Sequence, residues 1–154
     1  MAQSYHLTVP RRVLNTLMRA LLRMGIAPPG TYMLTVRGRN TGTLHSTPVT
    51  IVERDGERWL VAPYGAVAWV RNARVAGHVR LSRGRRRQEL QVEEVSDDQA
   101  AGVLQSYVRN VRVVRPYFDA APNSALTAFA AEIARHPVFR LRSADRPVLA
   151  GDPR

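Results

Sequence analysis

The spacing of apolar residues changes several times along the chain, and each change predicts a different element. Over residues 11–26 apolar side chains recur every three or four positions, with arginine and asparagine between them, which is typical of an amphipathic helix. The Pro28-Pro29-Gly30 segment ends this helix, because proline cannot continue its hydrogen bonds. Alternating apolar residues then predict strands over 31–36, 46–53 and 58–62. Asp55-Gly56 indicates a tight hairpin turn, since both residues tolerate a positive φ.

Helical and extended patterns continue through the rest of the chain. A helix is predicted over 66–76 with Gly77 as its stop, and a hairpin of strands over 78–82 and 88–94 turns at Gly84. Ser96, with Gln99 three residues later, matches a capping box and predicts a helix to residue 109. Residues 110–122 have no clear pattern. A last helix over 123–135 and a strand over 137–141 follow, and the tail from residue 143 is expected to fray. The apolar side of that last helix is predicted to hold Leu126, Phe129, Ala130 and Ile133.

This order of elements favours an α+β fold with a largely antiparallel sheet or small barrel. The 154 residues, 45% of them hydrophobic and 23% charged, are expected to form a single globular domain. The absence of cysteine excludes disulfides, thiolate metal sites and a thiol nucleophile, and fits a reducing cytoplasm. No run of about 20 apolar residues is present that could span a membrane, and the first ten residues lack the features of a secretory signal.

The basic charge is concentrated in two stretches. Every basic residue is an arginine, and the formal net charge is +11. Residues 1–52 contain six arginines and residues 71–87 contain seven, and neither stretch contains a carboxylate. Such stretches predict an anionic partner: nucleic acid, a membrane surface met by the basic N-terminal helix, or a phosphorylated or polycarboxylate ligand. A solvated arginine-rich face is the alternative. Nucleic acid is disfavoured, because only 6% of residues are aromatic and they do not interleave with the arginines.

Several familiar catalytic chemistries lack their residues in this sequence. The four histidines are far apart, none is expected to pair with a carboxylate at metal-ligand spacing, and no metal site is predicted. There is no lysine for a Schiff base and no phosphate-binding or serine-hydrolase motif. The carboxylates concentrate in a turn and around a helix cap, where acids are usually solvated, so a paired-carboxylate hydrolase is not supported.

Two segments remain that could bind a ligand. The glycine-containing loop at 37–47 is rich in arginine, threonine and histidine and could bind an anion through guanidinium groups and free amides, or be a solvated turn. Residues 62–74 run from the end of a strand through a Pro/Gly loop into a helix. Tyr64 and Trp69 there could form a flat aromatic wall or belong to the core.

These segments contain two motifs in order, G-R-x-T-G-x-x-x-x-T-P over residues 38–48 and V-A-P-Y-G-x-x-x-W-V-R-N-x-R over residues 61–74. Together they resemble the deazaflavin-dependent nitroreductase family, over about residues 10–142. The resemblance implies a split β-barrel of about six mainly antiparallel strands with flanking helices. It also implies an F420-dependent oxidoreductase that transfers a hydride from the reduced 8-hydroxy-5-deazaflavin coenzyme to a quinone, a nitroaromatic compound or another planar acceptor.

Site residues follow from the same resemblance. The coenzyme's phosphate and glutamyl tail are expected near Arg37, Arg39, Thr41, His45, Ser46 and Thr47, with Pro48 completing the first motif. Its ring is expected to be bordered by Ala62, Pro63, Tyr64, Ala68, Trp69 and Asn72. Tyr107 and Tyr117 are the candidates to hydrogen-bond or protonate the accepting oxygen, with simple packing as the alternative for each.

Other readings stay open at this point. A split barrel could bind an anionic cofactor or lipid without turnover, and FMN could replace F420, although F420 is preferred. The sequence does not identify the acceptor. The protein is expected to be cytoplasmic and either a monomer or a homodimer, and its basic N-terminal helix could contact a membrane surface. The arginines at 80–87 are not explained by the coenzyme.

Overall fold

A computed structural model describes residues 9–143, which form a closed antiparallel β-barrel with flanking helices. The helices are α1 (Val9–Met24), α2 (Ala68–Ala76), α3 (Asp98–Asn110) and α4 (Leu126–Ala130), with a 3-10 helix at Arg112–Tyr117. The strands are β1 (Thr31–Arg37), β2 (Leu44–Arg54), β3 (Glu57–Val61), β4 (His78–Arg83), β5 (Arg86–Val95) and β6 (Val138–Ser143). Around the barrel their order is β1-β2-β3-β6-β5-β4. The predicted α+β split barrel is therefore confirmed.

Local turn chemistry explains why the predicted strands are found where the alternation places them. Asp55 and Gly56 have φ values of 54° and 75°, which is what a two-residue hairpin turn between β2 and β3 requires. Gly84 lies in the turn between β4 and β5 and has a positive φ of 59°. The predicted fraying of the tail after residue 143 lies outside the described residues.

Two predicted helix starts are wrong. The cap of α3 is Asp97 rather than Ser96, because the Asp97 carboxylate accepts the Gln99 amide at 3.0 Å. The helix expected from residue 66 begins at Ala68, after a tight turn in which the Val67 amide donates to the Gly65 carbonyl.

The helix expected over 123–135 is much shorter than predicted, since regular helix ends at Ala130 and turns follow. Leu126 and Ala130 are exposed, whereas Glu132 is almost completely buried. The predicted apolar face is therefore wrong in part, because this segment turns a carboxylate inward to meet backbone amides of residues 119 and 120.

The N-terminal helix is present, and only part of its apolar side is covered. Leu22 is buried against Ala27 and Met33, and Met18 and Leu21 pack beside them. Val13 and Leu17 remain more than half exposed. Membrane contact through this helix stays a prediction. No helix in residues 9–143 is both long and apolar enough to cross a bilayer.

Two apolar clusters hold the structure together. One fills the barrel interior, with Leu34 and Leu60 fully buried and α2 closing one end through Val70 and Ala73. The other lies between the barrel wall and α3, where Phe129 of α4 is fully buried. Burial of large apolar side chains stabilises such layers by roughly 1.5–3 kcal/mol each.

Strand β2 is longer than its partner β3, and this difference opens the barrel wall. Residues 31–37 of β1 pair with residues 44–50 of β2, whereas β3 pairs only with residues 51–54. The first half of β2 therefore has a strand on one side only within the described residues. Pro48 lies in this half. Proline has no amide hydrogen to donate to a neighbouring strand, and it is therefore tolerated at sheet edges.

Candidate functional site

A cavity of about 560 Å³ lies beside the free edge of β2, and we call it the main cavity. Its walls come from the loop at 38–41, the β2 edge at 45–50, the segment from 61 to 72, and α1 through Asn15 and Met18. Tyr107 of α3 and Val111, Val113 and Val114 next to it close the remaining side. Its size and its mixture of apolar walls with a few polar groups are typical of sites for small molecules and cofactors.

The unpaired edge explains why consecutive residues of one strand reach the same cavity. Side chains alternate between the two faces of a strand, yet residues 45 to 50 of β2 all contribute to the lining. A cavity beside the strand edge, rather than over one face, is in contact with both sets of side chains and with backbone groups that no neighbouring strand pairs.

The loop between β1 and β2 is held by hydrogen bonds to a buried asparagine. Asn72 of α2 is 4% exposed, and its Oδ1 accepts the Arg39 backbone amide at 3.1 Å and the Arg39 guanidinium at 2.7 Å. Within the loop the Gly38 amide donates to the Thr43 carbonyl at 2.7 Å. Arg39 therefore enters the main cavity with a restricted position, as charge recognition requires.

The start of α2 contributes backbone donors to the same wall. Ala68 and Trp69 are its first two residues and both line the cavity. The helix has no side-chain cap, and no acceptor for these two amides is found in the described part of the chain. First-turn amides without an intrahelical partner favour an anionic or electron-rich group.

Two aromatic pairs support the opposite sides of this wall. Trp69 is half-buried and packs on Phe139, with ring centroids 6.0 Å apart. Tyr64 packs edge-to-face on Tyr117 at 4.8 Å. Each cavity aromatic is thus backed by a buried ring, which fixes its orientation.

Tyr107 is the buried hydroxyl that faces the main cavity. Its side chain is 3% exposed, and its hydroxyl has no hydrogen-bond partner among residues 9–143. Burial, and to a smaller extent the nearby Tyr64, raises the pKa of Tyr107 far above its ordinary value. The phenol is therefore protonated at neutral pH and available as a hydrogen-bond donor.

A polar cluster, here called the bracing cluster, consists of the buried Glu132 and His136 and the exposed Arg135, and it supports the cavity from behind. Glu132 Oε1 accepts the backbone amides of Asp119 and Ala120 at 3.0 and 3.3 Å and the Arg135 guanidinium at 2.8 Å. Glu132 Oε2 lies 3.2 Å from His136 Nε2. The expectation that no histidine has a carboxylate at metal-ligand spacing is wrong for His136, because Glu132 stands four residues earlier.

The bracing cluster reaches the cavity wall through the 62–65 turn. The His136 ring stacks on Phe118 at 3.9 Å and has the backbone carbonyls of residues 62 and 63 beside it. The Ala62 amide donates to the Pro137 carbonyl at 2.9 Å. Burial is the main reason that the pKa of His136 is lowered, and Glu132 opposes that shift.

Most of the residues implied by the resemblance come together around one space. Those lining the main cavity are Arg39, Thr41, His45, Ser46, Thr47, Pro48, Pro63, Tyr64, Ala68, Trp69, Asn72 and Tyr107. Three others do not line it. Arg37 donates to the Gly42 carbonyl at 3.0 Å, Ala62 is fully buried, and Tyr117 lies behind Tyr64.

Some cavity residues carried no signal in the sequence. The valines at 111, 113 and 114 belong to the stretch without a clear pattern, and Asn15 lies on the polar side of a helix. The bracing cluster did have a signal, since residues four apart meet on a helical turn. None of the described residues forms a group of three or more metal-ligand side chains.

Comparison with known proteins assigns the chain to a family. The profile of the F420H(2)-dependent quinone reductase family matches residues 10–121. The chain belongs to this family. The matched range includes the loop, the β2 edge, the start of α2 and Tyr107, and so contains most of the main cavity.

Solved structures resemble this family member in fold at low sequence identity. A protein described as a domain-swapped dimer has a TM-score of 0.56 and 16% identity over 86% of this chain and 99% of its own. An F420-H2 dependent reductase, FDR-A, has a TM-score of 0.51 and 16% identity over 74% of this chain and 95% of its own. HutZ, described as a heme storage protein from Vibrio cholerae, has a TM-score of 0.51 and 11% identity over 89% of this chain and 91% of its own. No functionally curated protein matches the chain.

Proposed function

We propose that this family member binds reduced F420 in the main cavity and transfers a hydride from it to a quinone or another planar acceptor. The observation that carries this proposal is that the family profile covers the same residues that enclose the main cavity around Tyr107. Reduced deazaflavin, when bound, supplies the hydride itself, which is why the site needs no acid–base pair or metal of its own.

The residues present fit a flat, anionic coenzyme. Trp69 and Tyr64 offer apolar ring surfaces backed by buried aromatics. Arg39 and the first amides of α2 provide positive charge and donors for a phosphate or carboxylate. The free edge of β2 adds backbone groups that can hydrogen-bond the polar edge of a ring.

Each part of the wall has a separate task in this proposal. The aromatic residues and the valines at 111–114 exclude water from the ring and orient the acceptor. Asn72 holds Arg39 in place for the anionic part of the coenzyme. The protonated Tyr107 hydroxyl donates a hydrogen bond to the accepting oxygen, where negative charge develops.

Thermal shift and turnover test the proposal on the full chain. F420 is expected to raise the Tm more than FMN does at the same concentration, because only the bound folded state gains stability. Reduced F420 is then expected to be oxidised when menadione is added, as followed by its absorbance. A larger shift with FMN would overturn the coenzyme assignment. F420 binding without oxidation by menadione, another quinone or a nitroaromatic would support a binding protein instead of an enzyme.

A further inference from the structure

A second cavity lies on the outer face of the barrel and contains four arginines that the proposed function does not use. It has a volume of about 310 Å³, and Arg19 and Arg23 of α1, Arg80 of β4 and Arg87 of β5 line it. We call it the arginine cavity. None of the carboxylates in the described part of the chain lines it.

Strand register brings the floor of this cavity together. Thr35 of β1 is paired with Arg80 and with Ser46, and Ser82 of β4 is paired with Arg87. Residues directly opposite each other in an antiparallel pair point to the same face. Val79 and Leu81, which alternate with Arg80 and Ser82, are buried in the barrel, so the arginines and hydroxyl groups share the outer face.

Helix α1 is fixed above this floor at short range. The Gly84 amide of the β4–β5 turn donates to the Leu22 carbonyl at 2.7 Å. A Cβ on Gly84 would lie 3.3 Å from the Cα of Gly25, so a side chain at this position would crowd the backbone of Gly25. This contact places Arg19 and Arg23 over the strand that carries Arg87.

The charges in the arginine cavity are only partly compensated. The Arg80 Nε donates to Glu89 at 2.6 Å. Arg19, Arg23 and Arg87 have no acidic or hydrogen-bond partner among residues 9–143. Like charges gathered in a concave site repel one another and produce a positive potential that an anion relieves. Guanidinium forks bind phosphate and carboxylate oxygens in pairs, and the hydroxyl groups of Thr35 and Ser82 can donate to the same oxygens.

We propose that the arginine cavity binds a small polyanion that carries two or more phosphate or carboxylate groups. Four guanidinium groups against one carboxylate match a ligand with several negative charges better than a single chloride or acetate. The site is distinct from the main cavity, and Ser46 is the one residue among those described that lines both.

Calorimetric titration of inorganic triphosphate into the full chain tests this at fixed ionic strength. The Arg19→Gln/Arg87→Gln variant removes one arginine from each wall and is expected to bind triphosphate at least roughly tenfold more weakly. The Arg86→Gln/Arg112→Gln variant loses the same charge from exposed arginines that lie outside the cavity. It is expected to bind like the unmodified chain.

The outcomes separate a built site from general attraction to a basic protein. Equal weakening in both double variants, or no measurable binding of triphosphate to the unmodified chain, would overturn the proposal. Displacement of bound triphosphate by a triglutamate peptide would identify a carboxylate chain as an accepted ligand, and retention would restrict the site to phosphate. Because triphosphate is the probe, the result does not depend on whether F420 binds the main cavity.

Discussion

The two cavities meet at Ser46, yet they hold their polar groups in opposite ways. In the main cavity two of the candidate binding side chains are held by a buried partner: Asn72 holds Arg39, and Tyr117 supports Tyr64. In the arginine cavity Arg19, Arg23 and Arg87 have no partner in the described part of the chain. The first arrangement is preorganised for one geometry, whereas the second is an electrostatic site that its ligand completes.

This difference predicts opposite consequences when a side chain is removed. Removing a partner in or behind the main cavity leaves a buried polar group without a hydrogen bond and should lower the unfolding free energy. Taking away an unpaired arginine relieves repulsion and should cost the folded state nothing. Substitutions behind the main cavity are therefore expected to lower stability or activity more than substitutions in the arginine cavity.

Glu132→Ala should destabilise the fold by about 3 kcal/mol, because it leaves two amides and the buried His136 without their carboxylate. Chemical denaturation measures the loss of unfolding free energy. Glu94→Ala is the matched control, since Glu94 pairs with Arg74 on the surface and both are about two-fifths exposed; its cost should stay below about 1 kcal/mol. Equal costs would refute the distinction between the braced wall and the surface.

Tyr107→Phe should lower kcat for quinone reduction roughly 100-fold, as loss of a proton or hydrogen-bond donor at the reacting oxygen does. The Kd for F420 should not change, because the ring and its packing remain. Tyr117→Phe should have little effect on kcat, since Tyr117 lies behind Tyr64 and outside the cavity lining. Steady-state kinetics with reduced F420 measures both. A normal kcat in Tyr107→Phe would exclude the hydroxyl from the chemistry.

Asn72→Ala should weaken F420 binding roughly tenfold by releasing Arg39 and its loop. Triphosphate binding in the arginine cavity should be unchanged, which would show that the two sites bind their ligands independently. Asn110→Ala, at an exposed position at the end of α3, is the control. Fluorescence titration of F420 gives the affinities. A parallel loss of triphosphate binding would show that the two cavities are coupled.

The unfolding free energy should decrease as the pH is lowered below 6.5, the ordinary pKa of a histidine such as His136. Burial lowers the pKa of His136 in the folded state, so the unfolded chain takes up a proton first as the pH decreases. The contribution is complete above pH 6.5 and is lost at up to about 1.4 kcal/mol per pH unit below it. Denaturation across this range in His136→Gln should lack this part of the slope, whereas the exposed His78→Gln should retain it. An unchanged slope in His136→Gln would assign the effect to other groups.

Arg87→Gln should leave the unfolding free energy unchanged or raise it by up to about 0.5 kcal/mol, because it removes an unpaired like charge from the arginine cavity. Thermal denaturation at low salt is the most sensitive measurement, since salt screens the repulsion. A loss of 1 kcal/mol or more would mean that Arg87 has a structural partner.

The strands of the barrel could be predicted from sequence because their signals are local. Alternation places the strands, and Asp55-Gly56 requires its turn whatever the remainder of the chain does. The last helix could not be delimited in this way. Its apolar spacing is helical to residue 133, but the inward turn of Glu132 depends on amides of residues 119 and 120, which the local pattern does not contain.

Some of the candidate site residues could also be predicted from local motifs, whereas others could not. The two motifs carried the loop, the β2 edge and the start of α2, all of which line the main cavity. The resemblance also implied Arg37 and Ala62, which do not line this cavity, because residues next to one another in sequence need not share a face. The pairing of α1 with the outer strands, which creates the arginine cavity, has no motif at all.

By itself the sequence determined the strands and turns of a largely antiparallel sheet, two acid-free arginine stretches and two candidate ligand-binding segments. Only the tertiary structure decided how those arginines divide: a buried asparagine holds Arg39, whereas Arg19, Arg23 and Arg87 come together without partners among the described residues. The physical reason is that charge and hydrogen-bonding capacity belong to a residue, whereas their satisfaction depends on neighbours that lie far away in sequence.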